Sequence, residues 1–206
     1  MVNHYQLDSS YYSTHSIISR IIGHGMTVLD VGCNSGYLGG ISDSTNSFYG
    51  LDVSKENVAK AKKIYTSAHL YDLNICRPLS WKKTFDVIVF ADVLEHIVKS
   101  GRVLQFITSR YLKNDGKVIL SLPNIANWQI RLSLLFGKFR YTQAGILDET
   151  HVHFYTFETA REFAEHNGLI VTDTYSGSSV FGGILQVLPF LRSVLSTGII
   201  LVCKKA

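Results

Sequence analysis

Residues Val28 to Gly40 read VLDVGCNSGYLGG, and the change of character within this stretch decides the fold. It begins as an apolar run, reaches an acid at Asp30, and turns on Gly32 and Gly36 into a second apolar segment. Val28, Leu29 and Val31 suit a buried strand, whereas the glycines reach backbone angles that residues with a Cβ resist. A strand that ends in a tight glycine turn before a helix is how α/β proteins bring backbone N–H groups close to a ligand. The spacing Gly32-Cys33-Asn34-Ser35-Gly36 lacks the GxGxxG pattern of a dinucleotide fingerprint, which counts against a nicotinamide dehydrogenase.

Upstream, Tyr11 and Tyr12 precede Ile17, Ile18, Ile21 and Ile22, a spacing that predicts an amphipathic helix ending near Gly23 and Gly25. Residues 1–25 therefore read as a helical cap that covers one face of a sheet or closes over a ligand. Downstream, Ser47–Leu51 predicts a second strand with Asp52 at its tip, and Ser54 caps the helix that follows. A third strand, Ala68–Tyr71, ends at Asp72-Leu73-Asn74. FDVIVFADVLEHI, Phe85–Ile97, predicts a fourth that is almost continuously apolar, as in parallel strands covered on both faces.

Gly101–Leu112 reads as a helix, Asn114-Asp115-Gly116 as a turn, and Lys117–Leu122 as a fifth strand. Thr156–Asn167 is a helix capped by Thr156 and stopped at Gly168, and Leu169–Tyr175 and Thr197–Cys203 complete the sheet. Repeated strand–helix alternation means a doubly wound α/β sheet of seven mostly parallel strands with helices on both faces. The chain reads as one domain, 1–206. Residues 123–155 are too long for a plain connection, and this aromatic-rich insertion is expected to cover the pocket and select the substrate.

Composition narrows the partners. At 206 residues, with 46% hydrophobic and 17% charged residues, the chain is globular and long enough for a substantial core. The net charge of +4 comes without a regular basic stripe, so nucleic acid is not an expected partner. Cys33, Cys76 and Cys203 are odd in number and lack metal-site spacing, so they read as reduced thiols of a cytoplasmic protein. The opening MVNHYQLDSS has no basic-then-apolar signal pattern. The apolar stretch Val180–Val202 is broken by glycines, Pro189 and serines, so no integral membrane segment is expected.

Asp52 follows Asp30 by 22 residues, near the spacing at which a strand-end acid meets the hydroxyls of a ribose. An acid at Asp72 is able to accept from an adenine amino group. Taken together, these segments resemble the class I S-adenosylmethionine-dependent methyltransferases over nearly the whole chain. VLDVGCNSGYLGG is similar to their first motif, with Asn34 where a third glycine is usual; Asn tolerates left-handed angles better than most residues. The resemblance implies a Rossmann-like fold and S-adenosyl-L-methionine as cofactor. Asp30, Gly32, Cys33, Asn34 and Gly36 would surround its methionine part, Asp52 and Val53 its ribose, and Asp72 and Leu73 its adenine. Phe90 and Ala91 lie where the fourth strand would meet it. The strand tips at 30, 52 and 72 are expected to converge on this one molecule.

The activity implied is methyl transfer to oxygen or nitrogen of a small-molecule acceptor, with a saccharide or secondary metabolite as the class. A catalytically silent binding or scaffold protein of the same fold is the alternative. The cofactor brings its own electrophile, so the protein must supply position, closure and, for a hydroxyl acceptor, a base. His151 is the candidate base and His96 the second; imidazole titrates near pH ~6.5. Tyr11, Tyr12, Trp128 and His153 are expected to contact the acceptor. Asp92, Glu95 and His96, at i, i+3 and i+4, would share a helix face and offer oxygen and imidazole ligands to a divalent cation. An acid there equally favours a helix N-terminus, so no metal ligand is assigned.

Overall fold

The computed structural model describes residues 10–178 and 180–206. Its helices are α1 (Thr14–Ile22), α2 (Tyr37–Ile41), α3 (Lys55–Ala61), α4 (Ser100–Tyr111), α5 (Trp128–Leu135), α6 (Phe157–His166), α7 (Gly182–Val187) and α8 (Arg192–Leu195). Its strands are β1 (Thr27–Val31), β2 (Ser47–Asp52), β3 (Ser67–Leu70), β4 (Phe85–Ala91), β5 (Leu112–Pro123), β6 (Leu169–Gly177) and β7 (Gly198–Lys205). They form one sheet in the order β3-β2-β1-β4-β5-β7-β6. The five strands from β3 to β5 pair in parallel, and β7 runs antiparallel to both of its neighbours.

Because side chains alternate along a strand, each central strand feeds two cores. Leu29 and Val31 of β1, Ile88 and Phe90 of β4, and Leu120 of β5 point to one face, where α4 and α6 bring Val103, Leu104, Ile107 and Ala160. Val28, Val87, Val89 and Ile119 point to the other, where α1, α2 and α3 bring Ile18, Ile22, Leu38 and Val58. The expected doubly wound sheet is what forms. The N-terminal helix is present from Thr14, capped by Ser13, and ends at Gly23 with φ +82°; residues 1–9 of the expected cap lie outside the described residues. Ser54 and Thr156 cap α3 and α6 as the sequence predicts.

Two expectations are revised. The Asn114-Asp115-Gly116 turn lies inside β5, which begins at Leu112: partners jump from Phe85–Leu112 to Val87–Lys117, so the extra residues bulge out and pairing resumes. The fourth strand stops at Ala91 rather than Ile97. Asp92 takes a left-handed φ of +52°, and Leu94–His96 then form a single 3₁₀ turn. The insertion carries α5, which buries none of its side chains. Its start is anchored instead: buried Asn124 and Asn127 both donate to the Ser196 carbonyl at 3.0 Å, tying the LPN segment to the entry of β7.

Candidate active site

At the carboxyl ends of β1, β2 and β3 the backbone folds tightly on itself. The N–H groups of Gly32 and Cys33 donate to the Leu51 carbonyl at 2.8 and 2.9 Å, and the Asn34 N–H donates to the Asp52 carboxylate at 2.9 Å. Gly32, Asn34 and Gly36 all have positive φ (+77°, +46° and +85°), so Asn34 does adopt the left-handed geometry expected where a glycine is usual. Gly32 has a second reason to lack a side chain: a Cβ there would meet Val93 Cγ2 at 2.3 Å.

Asp52 lies partly exposed at the tip of β2 and also accepts from Ser54 N–H at 2.8 Å and Asn57 Nδ2 at 3.3 Å. The longest of these, from Asn57, is the one a ligand hydroxyl most readily replaces. Val53 beside it is 71% exposed, an open apolar platform. Asp72 is reached directly from Asp52, whose carbonyl accepts the Tyr71 N–H at 2.8 Å; its carboxylate caps the turn at Asn74 and its side chain is partly open. The tips of β2 and β3 therefore lie side by side, with Leu73 packed on the core behind them.

The other expected cofactor residues sit deeper. Asp30 is buried, and its carboxylate accepts the Tyr65 hydroxyl at 2.6 Å, with the Asp52 carboxylate near enough to act on it. Burial pushes its carboxyl up to about 7, against the opposing hydrogen bond from Tyr65. The Cys33 side chain is turned into the core, where a Cβ on Gly50 would touch its Sγ at 2.5 Å, and burial holds its thiol well above the usual range. The Phe90 side chain is wholly buried in the core, so only backbone at Phe90 and Ala91 is available at the tip of β4.

Tyr65 is a residue that the motif reading missed. Its ring packs where Cβ atoms on Gly36, Gly39 and Gly50 would stand, and its hydroxyl takes the Gly39 N–H at 3.3 Å while donating to Asp30. The glycines spaced through GYLGG and SFYG are the signal that a bulky ring lies against them.

Beyond β4 a second region forms. Asp92 accepts the Ser121 hydroxyl at 2.6 Å, outside the Leu94–His96 turn, so the three residues share no α-helix face. The segment around His151 docks on this turn through the backbone: Val152 and His153 N–H groups donate to the Glu95 carbonyl at 2.8 and 3.2 Å. Along 151–155 the burial alternates as an extended segment should, with His151 and Tyr155 inward and Val152 and Phe154 outward. Asp92, Glu95 and His151 line a cavity of about 140 Å³ together with Thr14, Pro123 and Ile146.

His151 and Glu95 are both buried, with His151 Nε2 at 4.0 Å from Glu95 Oε1. Burial and the neighbouring Asp92 and Asp148 hold the Glu95 carboxyl well above the usual carboxylate range. His96 packs edge-on against His151, ring centroids 4.6 Å apart, and the partial desolvation of its ring together with the neighbouring His151 lowers its affinity for a proton. His153 ties two loops together: its Nε2 donates to the Ile97 and Val98 carbonyls at 3.1 and 3.2 Å. Trp128 stands on exposed α5 outside this cavity. Tyr11 and Tyr12 line a separate groove against β6 and α7, and it is Thr14 from the N-terminal segment that reaches the His151 cavity.

A mostly parallel sheet with one reversed strand, a glycine turn after β1 and acids at the next two strand tips define the Rossmann-like methyltransferase class. The family model for methyltransferase domains matches residues 6–174, and the chain belongs to that family. It is an S-adenosylmethionine-dependent methyltransferase. No curated protein sequence matches it.

Among solved structures it is similar to magnesium protoporphyrin IX methyltransferase from Synechocystis with bound S-adenosylhomocysteine, at 18% identity and TM-score 0.66, covering 94% of this chain and 82% of that one. A TehB-like S-adenosylmethionine-dependent methyltransferase from Corynebacterium glutamicum gives 18% identity and TM-score 0.62 over 98% and 90% of the two chains. The small RNA methyltransferase HEN1 gives 20% identity and TM-score 0.67 over 93% of this chain and 24% of that one. At these identities the likeness is one of fold.

Proposed function

We propose that this enzyme methylates an oxygen or nitrogen of a small-molecule acceptor, of the saccharide or secondary-metabolite class, held in the cavity beside His151. The observation that carries this reading is the buried Glu95–His151 pair, which lines a small cavity just past the tip of β4. The modest net charge of +4 and the scattered basic residues favour a small acceptor over a polyanion.

When bound, the cofactor supplies a methyl group activated by its sulfonium. Asp52 would take the ribose hydroxyls with Val53 beside it, Asp72 and the Leu73 N–H meet the adenine edge, and the Gly32–Gly36 turn receive the methionine end. Asp30 and Cys33 act from behind this turn: the Asp30–Tyr65 hydrogen bond braces the glycine loop, and Cys33 contributes its backbone. Holding the acceptor in line with the transferred methyl is worth about 7–11 kcal/mol of barrier. The His151 Nδ1–H donates to the Ile146 carbonyl at 3.1 Å, which leaves Nε2 as the lone pair able to take the acceptor's proton.

Incubation of the full chain with S-adenosylmethionine and a panel of hydroxyl- and amine-bearing acceptors, read by mass spectrometry, tests this. A product gaining one methyl supports the reading. Transfer of a larger group overturns it, as does methylation of RNA but of no small acceptor.

A further inference from the structure

Glu95 is fully buried, and neither of its carboxylate oxygens has a hydrogen-bond partner within the protein. Leaving such a group unsatisfied costs about 1–3 kcal/mol, and more when it carries charge. One donor atom from each of Glu95, His96 and His151 lies within 4.8 Å of the others. We propose that these three side chains form a binding site for one divalent transition-metal ion.

The hydrogen bonds around the two imidazoles set them up as ligands. The Thr150 hydroxyl has one proton, and it goes to Asp148 Oδ1 at 2.6 Å. Toward His96 Nδ1, 2.9 Å away, Thr150 Oγ1 must then accept, so His96 carries its proton on Nδ1 and leaves Nε2 bare. His151 is fixed in the same tautomer by the Ile146 carbonyl. Metal-binding histidines are oriented in this way, by an outer partner on the nitrogen that does not bind.

Three ligand atoms about 2.0–2.2 Å from one cation at tetrahedral angles lie about 3.3–3.6 Å apart, so a contraction of at most about 1.5 Å in the widest pair completes the set. Two imidazoles and one carboxylate suit manganese, iron, cobalt or zinc rather than calcium or magnesium. Asp92 and Asp148 stand near enough to add to the negative field at Glu95. His96 is the exposed member and gives the cation a way in. Three protein ligands leave further positions for water or an acceptor oxygen. A cation there engages the His151 lone pair, and the site then holds the acceptor's oxygen instead of taking its proton through His151.

The test uses Co²⁺ and Mn²⁺ alone, added to the chelator-treated full chain without cofactor or acceptor, so its outcome is independent of the methyl-transfer reading. The expected result is one Co²⁺ per chain, with a visible absorption band and competition by Mn²⁺. His96→Ala and Glu95→Gln should each weaken binding by more than about 100-fold, and Thr150→Val by about 10–100-fold, as for an outer-shell partner. His96 is exposed, so His96→Ala keeps the comparison valid should the buried Glu95→Gln variant fail to fold. Absence of binding to the wild-type chain overturns the proposal and leaves His151 as a free base. Binding that survives His96→Ala also overturns it, placing the cation elsewhere.

Discussion

On the β1–β2–β3 side of the sheet the site is made of backbone. The N–H groups of Gly32, Cys33 and Asn34 are spent on the Leu51 carbonyl and the Asp52 carboxylate, which locks the turn, and the partly open Asp52 and Asp72 stand at the tips of adjacent strands. On the β4–β5 side it is made of side chains from distant segments: Glu95 and His96 from a 3₁₀ turn, His151 from a loop beyond α5, and Thr14 from before β1. The first side suits a ligand of fixed shape, since a turn locked by its own hydrogen bonds cannot adapt. The second is assembled from loops, so its lining can change with one loop while the sheet beneath is untouched.

If that division of labour is right, His151→Ala should lower turnover by about 10²–10⁴-fold while leaving the dissociation constant for S-adenosylmethionine unchanged in calorimetry. A matching loss of cofactor affinity would merge the two regions into one. The next effect concerns the brace behind the glycine turn. Asp30 holds its proton up to about pH 7 when folded, against about 4 in the unfolded chain, so raising the pH through this window destabilises the fold. The loss amounts to as much as roughly 4 kcal/mol and levels off above pH 7. Asp30→Asn cannot ionise and should be flat over the same range in urea unfolding; equal slopes for both proteins would show the Asp30 charge to be compensated.

Asp52→Ala should weaken cofactor binding by about 1.5–3 kcal/mol, as for hydrogen bonds to a charged group, with a smaller change in the acceptor's KM. An unaltered cofactor affinity would remove Asp52 from the ribose position. The smallest effect is expected on α5 and its end. Phe136 is 69% exposed, so Phe136→Ser should change stability by less than about 0.5 kcal/mol in thermal melts. A larger loss would show that the insertion packs onto the domain more firmly than its exposed face implies.

Where local pattern carries the information, the chain is legible. The alternation of apolar strands with capped helices yields the sheet, and Gly32, Asn34 and Gly36 take the left-handed angles their residue types allow. Caps at Ser54 and Thr156 form because the hydroxyl and the N–H it accepts lie three residues apart. The β4–β5 side is less legible. Tyr11, Tyr12 and Trp128 have the character of acceptor-binding residues but lie away from the His151 cavity, and His153 has the character of a ligand but ties two loops together.

By itself the sequence determined the doubly wound seven-stranded sheet, the methyltransferase family and the glycine turn, because burial and backbone freedom are properties of neighbouring residues. Only the tertiary structure decided that Asp30 meets Tyr65, and that Glu95 and His96 meet His151. Those encounters depend on how segments far apart in the chain are laid against one another by the two cores and by the Glu95 carbonyl that receives the Val152 and His153 N–H groups.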